Sequence, residues 1–272
     1  MFGSACWFSP SIRCFLLAVT VTAPHPALAW SDEGHEIVAL IAEHYLDEAA
    51  RTKVAMLLVL DTDTLTDHDL ASEATWAGKY RESDRDTTRI RYQETRRCHF
   101  VDIELAEPRL DTAHFGHPPV PAGVLASKGP PQACVADKIE QLVAELGSPA
   151  TGAAEQLLSL KYLLHFVGDL LQPLHAADDH DPGGNKKLVT ADRLHSGNLH
   201  GFWDIEFVEM PRIDPRQVAV SLIGQISEAQ RQQWSPGKPA DWAKEGFALA
   251  RNDAYGLLPP PGDRNTYSLS LV

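Results

Sequence analysis

His165 and Asp169 stand four residues apart in LLHFVGDLLQPLH, with His175 just beyond, and His200 and Asp204 repeat that offset in NLHGFWD. Residues four apart on a helix project from one face, so each pair offers an imidazole nitrogen and a carboxylate oxygen that converge. Upstream, Trp30 follows Ala27-Leu28-Ala29, and His35 comes soon after. Donor sets dominated by histidine suit zinc and serve calcium or magnesium poorly. Two such pairs with His175 imply more than one metal ion and hydrolytic chemistry. Taken singly, His44, His68, His114, His117, His180 and His195 read as surface or hydrogen-bonded core residues.

The elements that must position these donors are mostly helical. Apolar periodicity predicts a helix over 33–60, capped by Ser31 or Asp32. A polar, turn-like stretch over 61–69 precedes a short helix at 71–80 and a charged stretch through Arg97. Residues 98–105 alternate enough to read as a strand or extended segment, ended by Pro108. Residues 106–131, rich in proline, glycine and small side chains, read as a long surface loop. Helices are then predicted over 131–146, 152–171, 199–208, 215–233 and 239–255. Pro173 breaks the second of these, letting His175 turn back toward the pair above it. Asp181-Pro-Gly-Gly-Asn185 is a loop signal, and there is no internal repeat, heptad run or linker. The expectation is a mainly α, single-domain protein.

Residues 1–29 read as a secretory signal peptide. Arg13 supplies a positive start, residues 14–23 an apolar run, and Ala27-Leu28-Ala29 an A-x-A cleavage site. An N-terminal anchor is the alternative, although the run is short for a bilayer. Cleavage between Ala29 and Trp30 would release a secreted or periplasmic chain and free the Trp30 amine, which could chelate a metal together with the Trp30 carbonyl. The formal net charge of −13 disfavours non-specific attraction to nucleic acid, yet bound cations would reverse the sign locally. After cleavage only Cys98 and Cys134 remain, as a bridge or as two free thiols.

The motifs WSDEGHEIVALIAEHYL, TWAGKYR, RRCHFVDIE, LLHFVGDLLQPLHAADD, GGN and NLHGFWD, in that order, resemble the S1/P1 nuclease family, and more distantly the zinc-dependent phospholipases C. The resemblance implies a helical domain over 30–272 of the phospholipase C/P1 nuclease type, with three zinc ions at the bottom of a cleft. It implies that Trp30 and His35 bind one zinc, bridged through Asp169 to a second held by His99 and His165. The third would take His175, His200 and Asp204. Phe100 matches an aromatic that stacks on a nucleobase, with a core aromatic as the alternative. Asp102 matches a group that hydrogen-bonds a base edge. Arg81 matches a basic side chain that neutralises charge on the phosphate, with an exposed structural arginine as its alternative. The implied protein is a zinc-dependent endonuclease, acting as a monomer on single-stranded DNA or RNA to give 5′-nucleotides, without stable membrane association.

Four positions depart from the family pattern. Gly78 stands where the family has a zinc-binding aspartate, leaving His99, His165 and Asp169 as the protein ligands of the middle zinc and predicting reduced activity. Asp67, Asp69, Glu73, Glu82 or Asp84 could substitute, and nothing in the sequence selects one. Leu171 replaces a frequent histidine, Cys98 an aromatic, and His114 a cysteine that would otherwise partner Cys134. A phospholipase C, a secreted zinc-binding protein without catalysis and a metal-free helical protein stay open as alternatives.

Overall fold

Side-chain caps, more than apolar periodicity, decide where the helices begin and end. The computed structural model describes residues 30–113, 123–128, 133–192 and 194–270. The signal segment, His114, His117 and the Pro131 helix start lie outside the described residues.

The expected long N-terminal helix is two: α1 (Asp32–Tyr45) and α2 (Glu48–Leu58). Leu46 is extended, and the Asp47 carboxylate accepts the Ala50 N–H at 2.7 Å, so a new cap interrupts an otherwise continuous pattern. The expected helix at 71–80 likewise divides into α3 (Leu70–Glu73), capped by Asp69, and α4 (Trp76–Glu82). The charged stretch holds a further helix, α5 (Ile90–Thr95). Of 98–105, only β1 (Ile103–Glu104) is strand.

Two antiparallel helices follow, α6 (Val135–Gly147) and α7 (Ala153–Leu171). Gln172 ends α7 in extended conformation, and Pro173, whose missing N–H is harmless at a first helical position, opens α8 (Pro173–Ala176). β2 (Ala177–Asp178) pairs in parallel with β1. β3 (Leu188–Ala191) lies between β4 (Gly197–Asn198) and the C-terminal β5 (Thr266–Leu269).

Helix α9 spans 199–209 and is wound as a π-helix over Phe202–Glu206. The predicted 215–233 helix breaks at Ile226, where Ser227 and Gln230 form a capping box. That gives α10 (Pro215–Gln225) and α11 (Glu228–Trp234). Helix α12 (Pro239–Leu249) runs into a second π turn at Ala250–Ala254.

The main core gathers Ile139 and Leu142 from α6, Phe166 and Leu170 from α7, Leu174 from α8, and Phe202, all fully or nearly buried. Each such side chain contributes about 1.5–3 kcal/mol by leaving water. The mainly α expectation is met. Cys98 and Cys134 are free and buried, and burial pushes their thiols up to about 11 and about 12. No described helix is long and apolar enough to cross a membrane.

Candidate metal centre

Helix α7 presents its apolar residues to the core and carries His165 and Asp169 on the same buried stretch. Asp169 is the hub. His99 Nδ1 donates to its Oδ2 at 2.7 Å, and His165 Nε2 lies 3.4 Å from the same oxygen. His35 Nε2 and His175 Nδ1 each lie 3.6 Å from Oδ1. All of these side chains are at most 4% exposed. His200 and Asp204 on α9 face one another at 3.3 Å, and with His175 they form a second grouping within reach of one cation.

The tautomers of His165, His175 and His200 follow from their partners. A carbonyl can only accept, so a ring nitrogen bonded to one carries the proton and the other bears the lone pair. His165 Nδ1 donates to the Ala74 carbonyl at 2.8 Å, His175 Nδ1 to His99 at 2.9 Å, and His200 Nδ1 to Gly183 at 2.7 Å. The Nε2 atoms of His35, His99, His165, His175 and His200, with Asp169 Oδ1 and Asp204 Oδ2, are buried without a hydrogen-bond partner. Each such group costs about 1–3 kcal/mol when nothing satisfies it, and their convergence fits metal ligation.

Electrostatics agree. Burial holds all five imidazoles below their ordinary range, with His165 at about 3 and His200 at about 4, so they stay neutral, the form that binds metal. Burial also pushes the Asp169 and Asp204 carboxyls well up, a penalty that a cation offsets.

Trp30 and Ser31 sit against both halves. The Trp30 indole donates to the Gly168 carbonyl at 3.0 Å, and the Ser31 N–H to the Asp204 carbonyl at 2.7 Å. Gly168 is what lets α1 approach, because a Cβ there would lie 2.6 Å from His35 Nδ1. His35 then stacks on His165 with ring centroids 4.0 Å apart. The close grouping is therefore His35, His165 and Asp169, with His99 attached through its hydrogen bond to Asp169.

Comparison with known proteins matches the S1/P1 nuclease family profile to residues 30–270. The chain belongs to the S1/P1 nuclease family. Among its relatives, endonuclease 2 of Arabidopsis thaliana is 30% identical over 190 residues, 68% of this chain and 58% of its own length. Nuclease P1 of Penicillium citrinum is 29% identical over 64% of this chain and 57% of its own. Nuclease S1 of Aspergillus oryzae is 29% identical over 71% and 59%. The chain thus spans less than two thirds of these curated relatives.

Arg81, Phe100 and Asp102 also lie near this centre. Arg81 is buried, not exposed. It donates from Nε to Glu82 at 2.9 Å, and its charge lowers the proton affinity of Asp169, Asp204 and the histidines. Phe100 is half-buried, its ring 4.4 Å from that of His175 and 6.2 Å from that of His200. Asp102 follows in left-handed backbone conformation at φ 55°. The β1–β2 pairing aligns this segment, with the Val101 N–H on the His175 carbonyl at 2.8 Å.

A Cβ on Gly78 would lie 3.2 Å from His165 Cε1 and 3.8 Å from its Nε2, so a side chain there would enter the histidine cluster. None of the acids Asp67, Asp69, Glu73, Glu82 and Asp84 belongs to the His35, His165 and Asp169 grouping or to the His175, His200 and Asp204 grouping. Asp67 is exposed, Asp69 caps α3, and Glu73 faces Lys161. Glu82 pairs with Arg81 and Arg85, and Asp84 binds Thr88 and two backbone N–H groups. Asp61, His68 and Glu73 form a third acid-rich grouping, but the Lys161 ammonium already meets both of its acids.

Sequence reasoning missed Gln172. Its amide donates to Asp204 Oδ1 while its carbonyl oxygen caps α8 on the Leu174 N–H. A polar residue directly before the helix-opening Pro173 was the available signal. Leu171 is exposed, and so are His44, His180 and His195.

Proposed function

We propose that the protein is a secreted zinc-dependent endonuclease that hydrolyses phosphodiester bonds of single-stranded DNA or RNA to 5′-nucleotides, with activity lowered by Gly78. The observation that carries this reading is the convergence of unpartnered imidazole Nε2 and carboxylate oxygens around Asp169 and Asp204. Trp30, His35, His99, His165, Asp169, His175, His200 and Asp204 would hold the ions. Zinc supplies Lewis acidity and lowers the pKa of water.

The chain's own residues do the rest. The neutral, Nδ1-anchored imidazoles hold their lone pairs in place before the ions arrive. Arg81, close enough to act electrostatically on the whole cluster, opposes negative charge developing on the phosphate. Phe100 offers a ring face beside His175 for a nucleobase, an interaction tolerant of base identity, and Asp102 an acceptor for a base edge. Release of residues 1–29 would free the amine of Trp30, whose indole bonds Gly168 and whose neighbour Ser31 bonds the Asp204 carbonyl.

The test is metal analysis of protein beginning at Trp30, together with cleavage of denatured DNA and of lecithin. Three zinc equivalents and cleavage of DNA alone are expected. Lecithin cleavage would favour the phospholipase, and metallated protein inert on both would overturn the catalytic reading. Gly78 also favours a second reading, a zinc protein without catalysis. The Gly78→Asp variant separates the two, since a several-fold gain from a measurable baseline fits a weakened enzyme and a rise from zero fits a degenerate one.

A further inference from the structure

Between Arg81 and His99 the chain carries an arginine-rich segment that the proposed centre does not use. Residues 85–97 contain Arg85, Arg89, Arg91, Arg96 and Arg97 against Asp86 and Glu94, in a chain of net charge −13. Three guanidinium groups gather on one ring: Arg85 and Arg89 each lie 5.2 Å from the Tyr92 centroid, and Arg96 lies 5.9 Å away. Arg91 lies 4.9 Å over Tyr80, which stacks on Trp76. Arg89, Arg91 and Arg96 are exposed, and none forms an ion pair with a described carboxylate.

None of the nearby acids pairs with these three arginines, and Asp86 acts on Arg85. Glu82 serves Arg81 and Arg85, Asp84 folds the turn by accepting from Thr88 and the N–H groups of Arg91 and Tyr92, and Glu94 meets the Tyr80 hydroxyl. Like charges drawn to one aromatic face repel each other, and an anion with regularly spaced charges relieves that repulsion. Guanidinium forks match phosphate oxygens, and the interleaved tyrosines offer faces for bases. The segment also runs directly into the centre along the chain. Arg96 is three residues from His99, at most about 11 Å along the chain, and the Cys98 N–H on the Thr95 carbonyl folds that path shorter.

We propose that Arg89, Arg91 and Arg96, arrayed around Tyr92 and Tyr80, form a binding site for the phosphate backbone of a single-stranded polynucleotide beyond the scissile bond. The proposal rests on the nuclease reading in taking the substrate strand as its ligand. The site would favour long strands over short ones and make that preference salt-dependent.

The experiment compares the zinc-loaded parent with R89E/R91E/R96E and the milder R89Q/R91Q/R96Q on oligo(dT) of about thirty nucleotides and on a thymidine dinucleotide. The ratio of kcat/KM for the oligomer to that for the dinucleotide should fall at least about tenfold. The slope of log kcat/KM against log salt on the oligomer should fall by about 2, at roughly 0.7 for each phosphate no longer neutralised. An unchanged ratio and slope in both variants overturns the site. The glutamine variant decides if the charge-reversed one misfolds. Fluorescence anisotropy of labelled oligo(dT), with the metals chelated, separates the two readings. A parent that cleaves neither substrate but binds the oligomer, with binding lost in the variants, sinks the nuclease reading and keeps the site. A parent that cleaves the oligomer while all variants bind it equally sinks the site alone.

Discussion

For His165, His175 and His200, a single hydrogen bond settles which ring nitrogen stays bare. His200 presents Nε2 because Nδ1 donates to the Gly183 carbonyl, and Gly183 stands at φ 61° where a Cβ would lie 2.3 Å from the Leu174 carbonyl oxygen. The Gly183→Ala variant must displace that loop. It is expected to lose at least about 1–3 kcal/mol in urea denaturation, a typical cost of forced backbone strain, and to bind less metal at the His175, His200 and Asp204 group. Gln172 orients Asp204 from the other side. Gln172→Ala should weaken metal binding by about 10–100-fold, the usual effect of removing a group that positions a ligand. Titration against a chelator of known affinity measures this, and unaltered affinity would show that Asp204 needs no such support.

One buried cation ties α7 to the segment that carries Gly78 and Arg81. Lys161, a turn before His165, is 1% exposed and reaches Asp61, Asp63 at 2.7 Å and Glu73 at 3.3 Å, while lying 4.4 Å over the Trp76 ring. Removing one partner of a buried ion pair costs about 3–5 kcal/mol, because the others keep uncompensated charge. Lys161→Met should therefore melt well below the parent at neutral pH. Burial raises the Asp61 and Asp63 carboxyls, but hydrogen bonds from Lys161 and from backbone N–H groups, with the Lys161 charge, together outweigh it and hold both below their ordinary range. Their folded values being depressed, this stabilisation is present above about pH 4 and is lost as pH falls through the lowered values. Burial lowers the Lys161 ammonium, yet its acids raise it further, so its contribution holds below its ordinary value of 10.5 and is lost above the raised one. The difference between parent and Lys161→Met in urea should be largest near pH 7 and shrink toward pH 3. A difference independent of pH would assign the loss to packing alone.

For the molecule as a whole, α1, the segment before β1, α7, α8 and α9 all send donors to one centre. Metal held there would stabilise the entire fold. A site saturated a thousandfold above its Kd contributes about 4 kcal/mol, and each kcal/mol is worth about 2–4 °C in a chain of this size. Chelation should lower Tm by on the order of 10 °C or more, reversibly on adding zinc, and calorimetry with and without chelator checks it. An unshifted Tm would mean that the orphaned donors are not metal ligands. The sequence by itself determined the helical class and the pairs His165–Asp169 and His200–Asp204, because a four-residue offset on one helix is a local rule. It misjudged the breaks at Leu46 and Ile226, where a single cap outweighs apolar periodicity. Only the tertiary structure decided that His35 stacks on His165, that Gly78 faces the same ring and that Gln172 steadies Asp204. Those outcomes depend on partners far apart in the chain, such as the Ala74 carbonyl 91 residues before His165 and the His99 carbonyl 76 before His175. No spacing rule reaches that far, and packing alone brings such groups together.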